Sequence, residues 1–255
     1  MLLCIDIGNT HAHFGLLTEE RTVMQDTVPT RLSGDPTEGI AAQVPVLQAR
    51  FGAIRAVAFC SVVPAVNATL RHSFTRTGLP VWQLTHEQRL GVPITYSNPA
   101  EIGQDRLANS AGAHALGGSP AVVIDIGTAV TFDVVTRAGG YEGGVIGPGV
   151  AVMRNYLHER TAQLPRLDES LEVTRAIGKS TVEAMRIGTV LGYAGMIQAL
   201  LDAVLAELAG RGEPAPALYL TGGAAAIVAG RLRQPVQEVP DLTLRGLAAA
   251  WQLNH

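Results

Sequence analysis

Two aspartates sit in matching turns: Asp6 in Asp6-Ile7-Gly8-Asn9-Thr10, and Asp125 in Asp125-Ile126-Gly127-Thr128. Each closes an apolar run and precedes a second β-prone run, His11 to Leu17 and Ala129 to Val135. Glycine in such a turn lets backbone N–H groups approach phosphate oxygens, and Thr10 or Thr128 adds a hydroxyl donor. A carboxylate cannot bind phosphate directly, so Asp6 and Asp125 would act through Mg²⁺, a monovalent cation or water. One copy would be ordinary Asp-Gly turn chemistry. Two copies, 119 residues apart, favour two similar domains and a nucleotide-handling role. Thr221-Gly222-Gly223 follows another apolar run and offers a third close backbone approach.

A second constellation is Gly103-Gln104-Asp105-Arg106. Asp105 can accept a proton, and Arg106 can grip a carboxylate with two parallel hydrogen bonds. An exposed ion pair on a helix is the competing reading. The helix there could start at Asn98-Pro99, with Glu101 as capping partner, or later, at Gln104. His11 and His13 alternate along a strand and so share a face. No third ligand is spaced for a metal, which favours a solvated or substrate-side face. Gly178-Lys179-Ser180-Thr181 has the ending of a phosphate-binding P-loop, but position 173 is Val173, and a polar stretch leads in where a strand is needed. It reads instead as a helix start, with Ser180 and Glu183 as a capping box and free N–H groups that could hold an anionic or hydroxyl-rich ligand.

The composition narrows the chemistry. Of 255 residues, 19 are Lys or Arg and 22 Asp or Glu, and Lys179 is the only lysine. Any lysine-dependent mechanism therefore rests on Lys179 alone. A net charge of −3 argues against nucleic acid as partner, and 47% apolar residues can bury a real core. Cys4 and Cys60 sit in apolar runs and read as buried small hydrophobes. Thr189 to Leu208 is apolar but interrupted by Gln198, Asp202 and Glu207, which favours a buried helix over a membrane span. No basic leader precedes the first strand, so a soluble cytoplasmic protein is expected.

The elements that must carry these residues follow from periodicity. Strands are predicted at 2–7, 11–17, 22–28, 53–59, 81–84, 121–125, 129–135, 141–146 and 218–221. Helices are predicted near 36–50, from Pro64 to about 75, after Gly147-Pro148-Gly149, and at 181–209. Val190, Leu191, Ala194, Ile197, Leu201, Val204, Leu205 and Leu208 form the expected apolar face of the long helix, and Gly188, Gly192 and Gly195 make one side of it small. The 163–179 segment has weak periodicity and is expected to be a mobile loop. Mixed α/β sheets flanked by helices are the expected class.

With these motifs in place, the chain resembles the type III pantothenate kinases of the acetate and sugar kinase/Hsp70/actin superfamily. The two Asp-Ile-Gly turns and Thr221-Gly222-Gly223 are similar to that superfamily's phosphate and adenosine motifs. Gly103-x-Asp105-Arg106 with Tyr96 and Pro99, Thr161-Ala162-x-Leu164-Pro165, and Gly178-x-Ser180-Thr181 followed by Gly188 are similar to the family's own signatures. The resemblance runs from Leu3 to about Gly246. It implies two ribonuclease-H-like domains, at 1–115 and 116–255, a homodimer, and ATP-dependent phosphorylation of pantothenate with Mg²⁺ as the nucleotide's cation. It further implies that Asp6, Ile7, Gly8, Asn9, Thr10, His11, Ala12 and His13 line the ATP phosphates, with Thr128, Gly222 and Gly223 also on the nucleotide. Asp125 would hold K⁺ or NH₄⁺. Tyr96, Gly103, Gln104, Asp105, Arg106 and Thr181 would hold pantothenate, with Asp105 the proton acceptor.

Overall fold

A computed structural model describes residues 1–30 and 36–255. Contacts divide the chain into two compact units. The first comprises Met1–Ser119, Val135–Glu142 and Asp241–His255, and the second Pro120–Val134 and Gly143–Pro240. The chain thus returns to the first unit at its end, which a single boundary near residue 115 does not include.

In the first unit, β1 (Leu2–Ile7), β2 (His11–Leu17), β3 (Thr22–Pro29), β4 (Ala56–Ser61) and β5 (Val81–Gln83) form one sheet in the order β3-β2-β1-β4-β5. The hairpins are antiparallel, while β4 runs parallel to both β1 and β5. Alternation along β1 and β4 sorts their side chains onto two faces. Leu3, Ile5, Ile7, Val57 and Phe59 pack with α1 (Pro36–Phe51) and α2 (Pro64–Thr75). Leu2, Cys4, Ala56, Ala58 and Cys60 pack with α3 (Gln104–Gly117) and α6 (Leu242–Asn254). Asp6 continues the second series, and so lies on the α3 side. β4 starts three residues later than its apolar run predicts and extends to Ser61, and its parallel pairing with β1 puts Cys60 in register with Asp6.

α3 and α6 lie unusually close. A Cβ on Gly246 would fall 1.8 Å from the Ala108 carbonyl oxygen, and one on Gly112 would fall 2.8 Å from that of Leu242. Thr243 donates to the buried Asn109 Oδ1 at 2.8 Å, so one polar bond also ties the pair.

The second sheet has β6 (Ala121–Ile126), β7 (Ala129–Thr136), β8 (Gly140–Pro148), β9 (Ala217–Thr221) and β10 (Gln237–Glu238), in the order β10-β9-β6-β7-β8. It repeats the first sheet's order strand for strand, as the two Asp-Ile-Gly turns lead one to expect. β10 is too short for a periodicity argument and was not foreseen. α4 (Val150–Arg160) follows β8. α5 (Thr181–Gly210) buries Val190, Tyr193, Ala194, Ile197, Leu201 and Leu208 in this unit's core. By length and composition α5 could also cross a membrane; a third of its most apolar window is buried. Leu191, expected inside, is 43% exposed. Gly192 faces Met153 of α4, while Gly188 and Gly195 look onto open space.

The 163–179 segment has no regular element but is pinned to its surroundings. Asp168 pairs with Arg186 at 3.0 Å, Glu169 with Arg154 at 3.2 Å and Arg175 with Glu183 at 3.0 Å, and Arg231 donates to the Leu171 carbonyl at 3.3 Å. The weak periodicity there matches the absence of a regular element, and side-chain bonds connect the segment to α4, α5 and Arg231.

Candidate active site

In the first unit the site grows from the ends of β1 and β4 and the start of α3. Gly103 is the N-cap residue of α3, which settles the later of the two possible helix starts. Asn98 instead bonds Glu101 across a separate 3₁₀ turn, at 2.7 Å. Asp105 lies in the first helical turn, where a negative charge complements the helix dipole. Its Oδ1 accepts the Arg106 N–H at 2.8 Å. Burial raises the carboxyl above the usual carboxylate range, against the opposing pull of Arg106. That is the direction a proton acceptor needs if it is to work near neutral pH.

Gly103 has a steric reason to be glycine. A Cβ there would fall 2.5 Å from Asp105 Oδ1 and 3.5 Å from the Val62 side chain. The carboxylate is the movable partner, so Gly103→Ala should leave the fold intact and displace Asp105. We expect Tm within about 2 °C of wild type and a loss of turnover of roughly 10²-fold, since small misplacements of a reacting group cost about that much. Thermal melts and steady-state rates check this. Wild-type turnover in a folded variant would show that the contact is slack.

Gln104 Oε1 accepts the Ser61 N–H at 2.9 Å and the Gln83 amide at 3.1 Å. It thereby fastens the head of α3 to the ends of β4 and β5. Arg106 is only 7% exposed, with its guanidinium 5.9 Å from the Tyr141 ring centre. Tyr96 lies 6.2 Å from the same ring. Tyr141, which the sequence analysis did not single out, links the two expected substrate residues. The signal for it was Gly140, whose φ of 70° lets the chain lie against Pro93, so that Tyr141 hydrogen-bonds both Pro93 and Thr95.

Asp6 pairs across the sheet with His13 on one side and Cys60 on the other. The Cys60 thiol donates to Asp6 Oδ1 at 3.3 Å. Burial, then the charges of Asp6 and Asp105, push that thiol far above its ordinary pKa, so it is a donor at neutral pH. The turn beyond Asp6 is held by Gly8 N–H to the His11 carbonyl, and by Thr30 Oγ1 to the Gly8 carbonyl, both at 2.9 Å. Asn9, Thr10 and His11 are exposed on it. Ile7 and Ala12 have fully buried side chains, so only their backbone can face a nucleotide. His13 Nδ1 bonds Thr27 Oγ1 at 2.9 Å, and burial, then His11, lowers its pKa.

In the second unit three glycine turns converge. Asp125 pairs with Thr221 across β6 and β9. Gly222 follows with φ of 93°, and a Cβ on it would fall 2.5 Å from both Asp125 Oδ1 and the Ile126 carbonyl oxygen. Gly149 lies against the carbonyls of Thr128 and Gly127, at 2.3 and 2.6 Å from its would-be Cβ. Thr128 and Gly223 are exposed. A carboxylate among backbone carbonyls is a set of hard oxygen donors, which suits a cation such as K⁺ or Mg²⁺ and not a soft metal.

Thr181 is the first residue of α5, also in this unit, and exposed. Ser180 accepts the Glu183 N–H at 3.2 Å, while the Glu183 carboxylate turns back to the Lys179 N–H at 2.6 Å. The capping box is therefore displaced by one residue from its usual form. Gly178 packs on Ala184, and no strand leads in. The arrangement is a helix cap and not a P-loop.

The model of the family described as type III pantothenate kinase matches residues 2–203. The chain belongs to that family. A type III pantothenate kinase from Akkermansia muciniphila is 43% identical over 99% of this chain and 98% of its own length. Among solved structures, a conserved Campylobacter jejuni protein assigned to the Baf family of transcriptional activators superposes with a TM-score of 0.62, at 20% identity over 99% of this chain and 98% of that one. A ROK hexokinase from Thermus thermophilus gives 0.54, at 15% identity over 98% of both chains. These two likenesses bear on fold alone. They show that the type III pantothenate kinase chain shares its overall fold with these two proteins, the hexokinase among them.

Proposed function

We propose that the chain transfers the γ-phosphoryl group of ATP to the 4′-hydroxyl of pantothenate, the first step of coenzyme A biosynthesis. The observation that carries this reading is the head of α3 in a member of this family. There Asp105, raised toward neutral pH, stands beside the buried Arg106 and is kept in place by Gly103. Asp105 takes the hydroxyl proton as the new O–P bond forms, and the bond to the ADP oxygen breaks. Arg106 matches the carboxylate of pantothenate, with Tyr96, Gly103, Gln104 and Thr181 as further substrate contacts. Phosphoryl transfer asks for positioning and charge neutralisation, and little covalent help.

Asp6, the backbone of Ile7, Gly8 and Ala12, and the exposed Asn9, Thr10, His11 and His13 would face the ATP phosphates, with Thr128, Gly222 and Gly223 on the nucleotide. The Asp6 carboxylate fits Mg²⁺, which is commonly held by one or two carboxylates plus substrate phosphates. Asp125, against Gly222 and near the Gly127 and Thr128 carbonyls, fits K⁺ or NH₄⁺. Bound cations supply positive charge that many kinases take from lysine. The protein would act in the cytoplasm as a homodimer. The exposed Leu191 and the open space over Gly188 and Gly195 leave a face of α5 suited to a second helix.

A panel of acceptors with product identification by mass spectrometry tests the substrate. Phosphorylated pantothenate with no phosphorylated sugar or acetate is the expected result. Turnover of a sugar without pantothenate would assign the chain to another kinase of the superfamily.

A further inference from the structure

Cys60 fills more than space. It is the next-to-last residue of β4, fully buried, and directly in register with Asp6 on the neighbouring parallel strand. Both side chains project to the α3 face of the sheet. Cys4 and Ala58, two residues earlier on each strand and on the same face, belong to the apolar core that includes Leu107 and Ala111 of α3. The sheet thus changes from apolar to polar at this one rung. The thiol donates to Asp6 Oδ1 at 3.3 Å. Gln104 bonds the Ser61 N–H next to it, so the strand end that carries the thiol is itself fixed to α3.

We propose that Cys60 is a positioning residue: its S–H bond holds the Asp6 carboxylate in the orientation that serves the cation of the bound nucleotide. The inference rests on the reading of Asp6 as part of the phosphate site. A carboxylate at the end of a strand can turn about its Cα–Cβ and Cβ–Cγ bonds. A donor on the adjacent strand selects one of those orientations before the nucleotide arrives. A thiol is a weak donor, but a bond to a charged acceptor is stronger than one between neutral groups.

The test uses the full-length protein. ADP binding is measured by calorimetry over a series of Mg²⁺ concentrations, beside steady-state turnover. Cys60→Ala removes the donor and some volume, Cys60→Ser restores a donor, and Cys60→Val fills the position, with a little added bulk, without a donor. Circular dichroism and melting curves confirm that each is folded. Cys60→Ala and Cys60→Val should need about tenfold more Mg²⁺ for half-maximal ADP affinity, the effect of losing one hydrogen bond to a charged group. Mg²⁺-free ADP affinity and the KM for pantothenate should stay within about twofold of wild type, and Cys60→Ser should return to wild-type Mg²⁺ dependence within about twofold. Wild-type Mg²⁺ dependence in both donor-free variants would overturn the proposal. So would a Cys60→Ser shift as large as that of Cys60→Ala. A wild type that binds ADP but never phosphorylates pantothenate would defeat the proposed function, while the same titrations would still decide for or against Cys60.

Discussion

Asp105→Asn should fold like the wild type and lose roughly 10²- to 10⁴-fold in pantothenate phosphorylation, the range associated with removing a general base. Asparagine keeps the shape and the acceptor for the Arg106 N–H, but it cannot take the hydroxyl proton. The wild-type pH profile should carry the same signature. Burial raises the Asp105 carboxyl, so the acid limb of kcat/KM should lie above the ordinary aspartate value of about 3.9, with turnover rising as pH rises through it. Stability should respond with the opposite sign. A carboxyl raised on folding contributes stability that is fully present below its unfolded pKa and lost as pH rises through the folded one. The asparagine variant should therefore melt at or above the wild-type temperature at pH 7, with the gap closing below about pH 4. Unchanged turnover in the folded variant would remove Asp105 from the proposed mechanism.

Gly246→Ala should produce the largest loss of stability. Its Cβ would sit 1.8 Å from the Ala108 carbonyl oxygen, with the Gly112 N at 3.0 Å. Both neighbours are helix backbone, which no side-chain rotation can clear. α6 must move away from α3, opening a core that includes Leu107, Ala111, Leu244 and Leu247. Overpacking typically costs about 1–3 kcal/mol, and a backbone clash this short belongs at the upper end or above it. A fall of Tm by roughly 6–12 °C follows for a protein of this size. Turnover should fall too, because α3 carries Asp105 and Arg106. Gly39→Ala in α1 is the control: nothing lies within 4 Å of its would-be Cβ, and it should gain about 0.5–1 kcal/mol from helix propensity. Melting curves of the pair decide the matter. Equal and small shifts would mean that the α3–α6 contact has slack.

The two-sheet architecture was legible because its signal is local. An apolar run, an Asp-Ile-Gly turn and a second β-prone run define a hairpin without reference to the rest of the chain, and the second copy shows that the pattern is a module. The candidate site could be proposed from residue types: Asp105 beside Arg106, and glycine at 8, 103, 127 and 222. What sequence could not show depends on contacts between distant segments. Nothing in its residue type marks Tyr141; the chain after Gly140 lies against Pro93 and places the ring between Tyr96 and Arg106. Cys60 looked inert because only the register of β4 against β1, a contact between distant segments, puts it opposite Asp6. Leu191 matched the helical period, yet the α5 core stripe passes through Val190, Ala194 and Ile197 and leaves it outside. The 163–179 segment carried no periodicity because it forms neither helix nor strand, and its ion pairs to Arg154, Glu183 and Arg186 follow no sequence period.

The most direct test of the central claim is ADP release by the wild-type chain given ATP and Mg²⁺, with pantothenate and K⁺ each present or absent. Release is expected only when pantothenate is present, at a rate that collapses when K⁺ is replaced by Na⁺ and recovers with NH₄⁺. ATP turnover that ignores pantothenate, or nucleotide binding with no turnover of pantothenate under any cation, would contradict it.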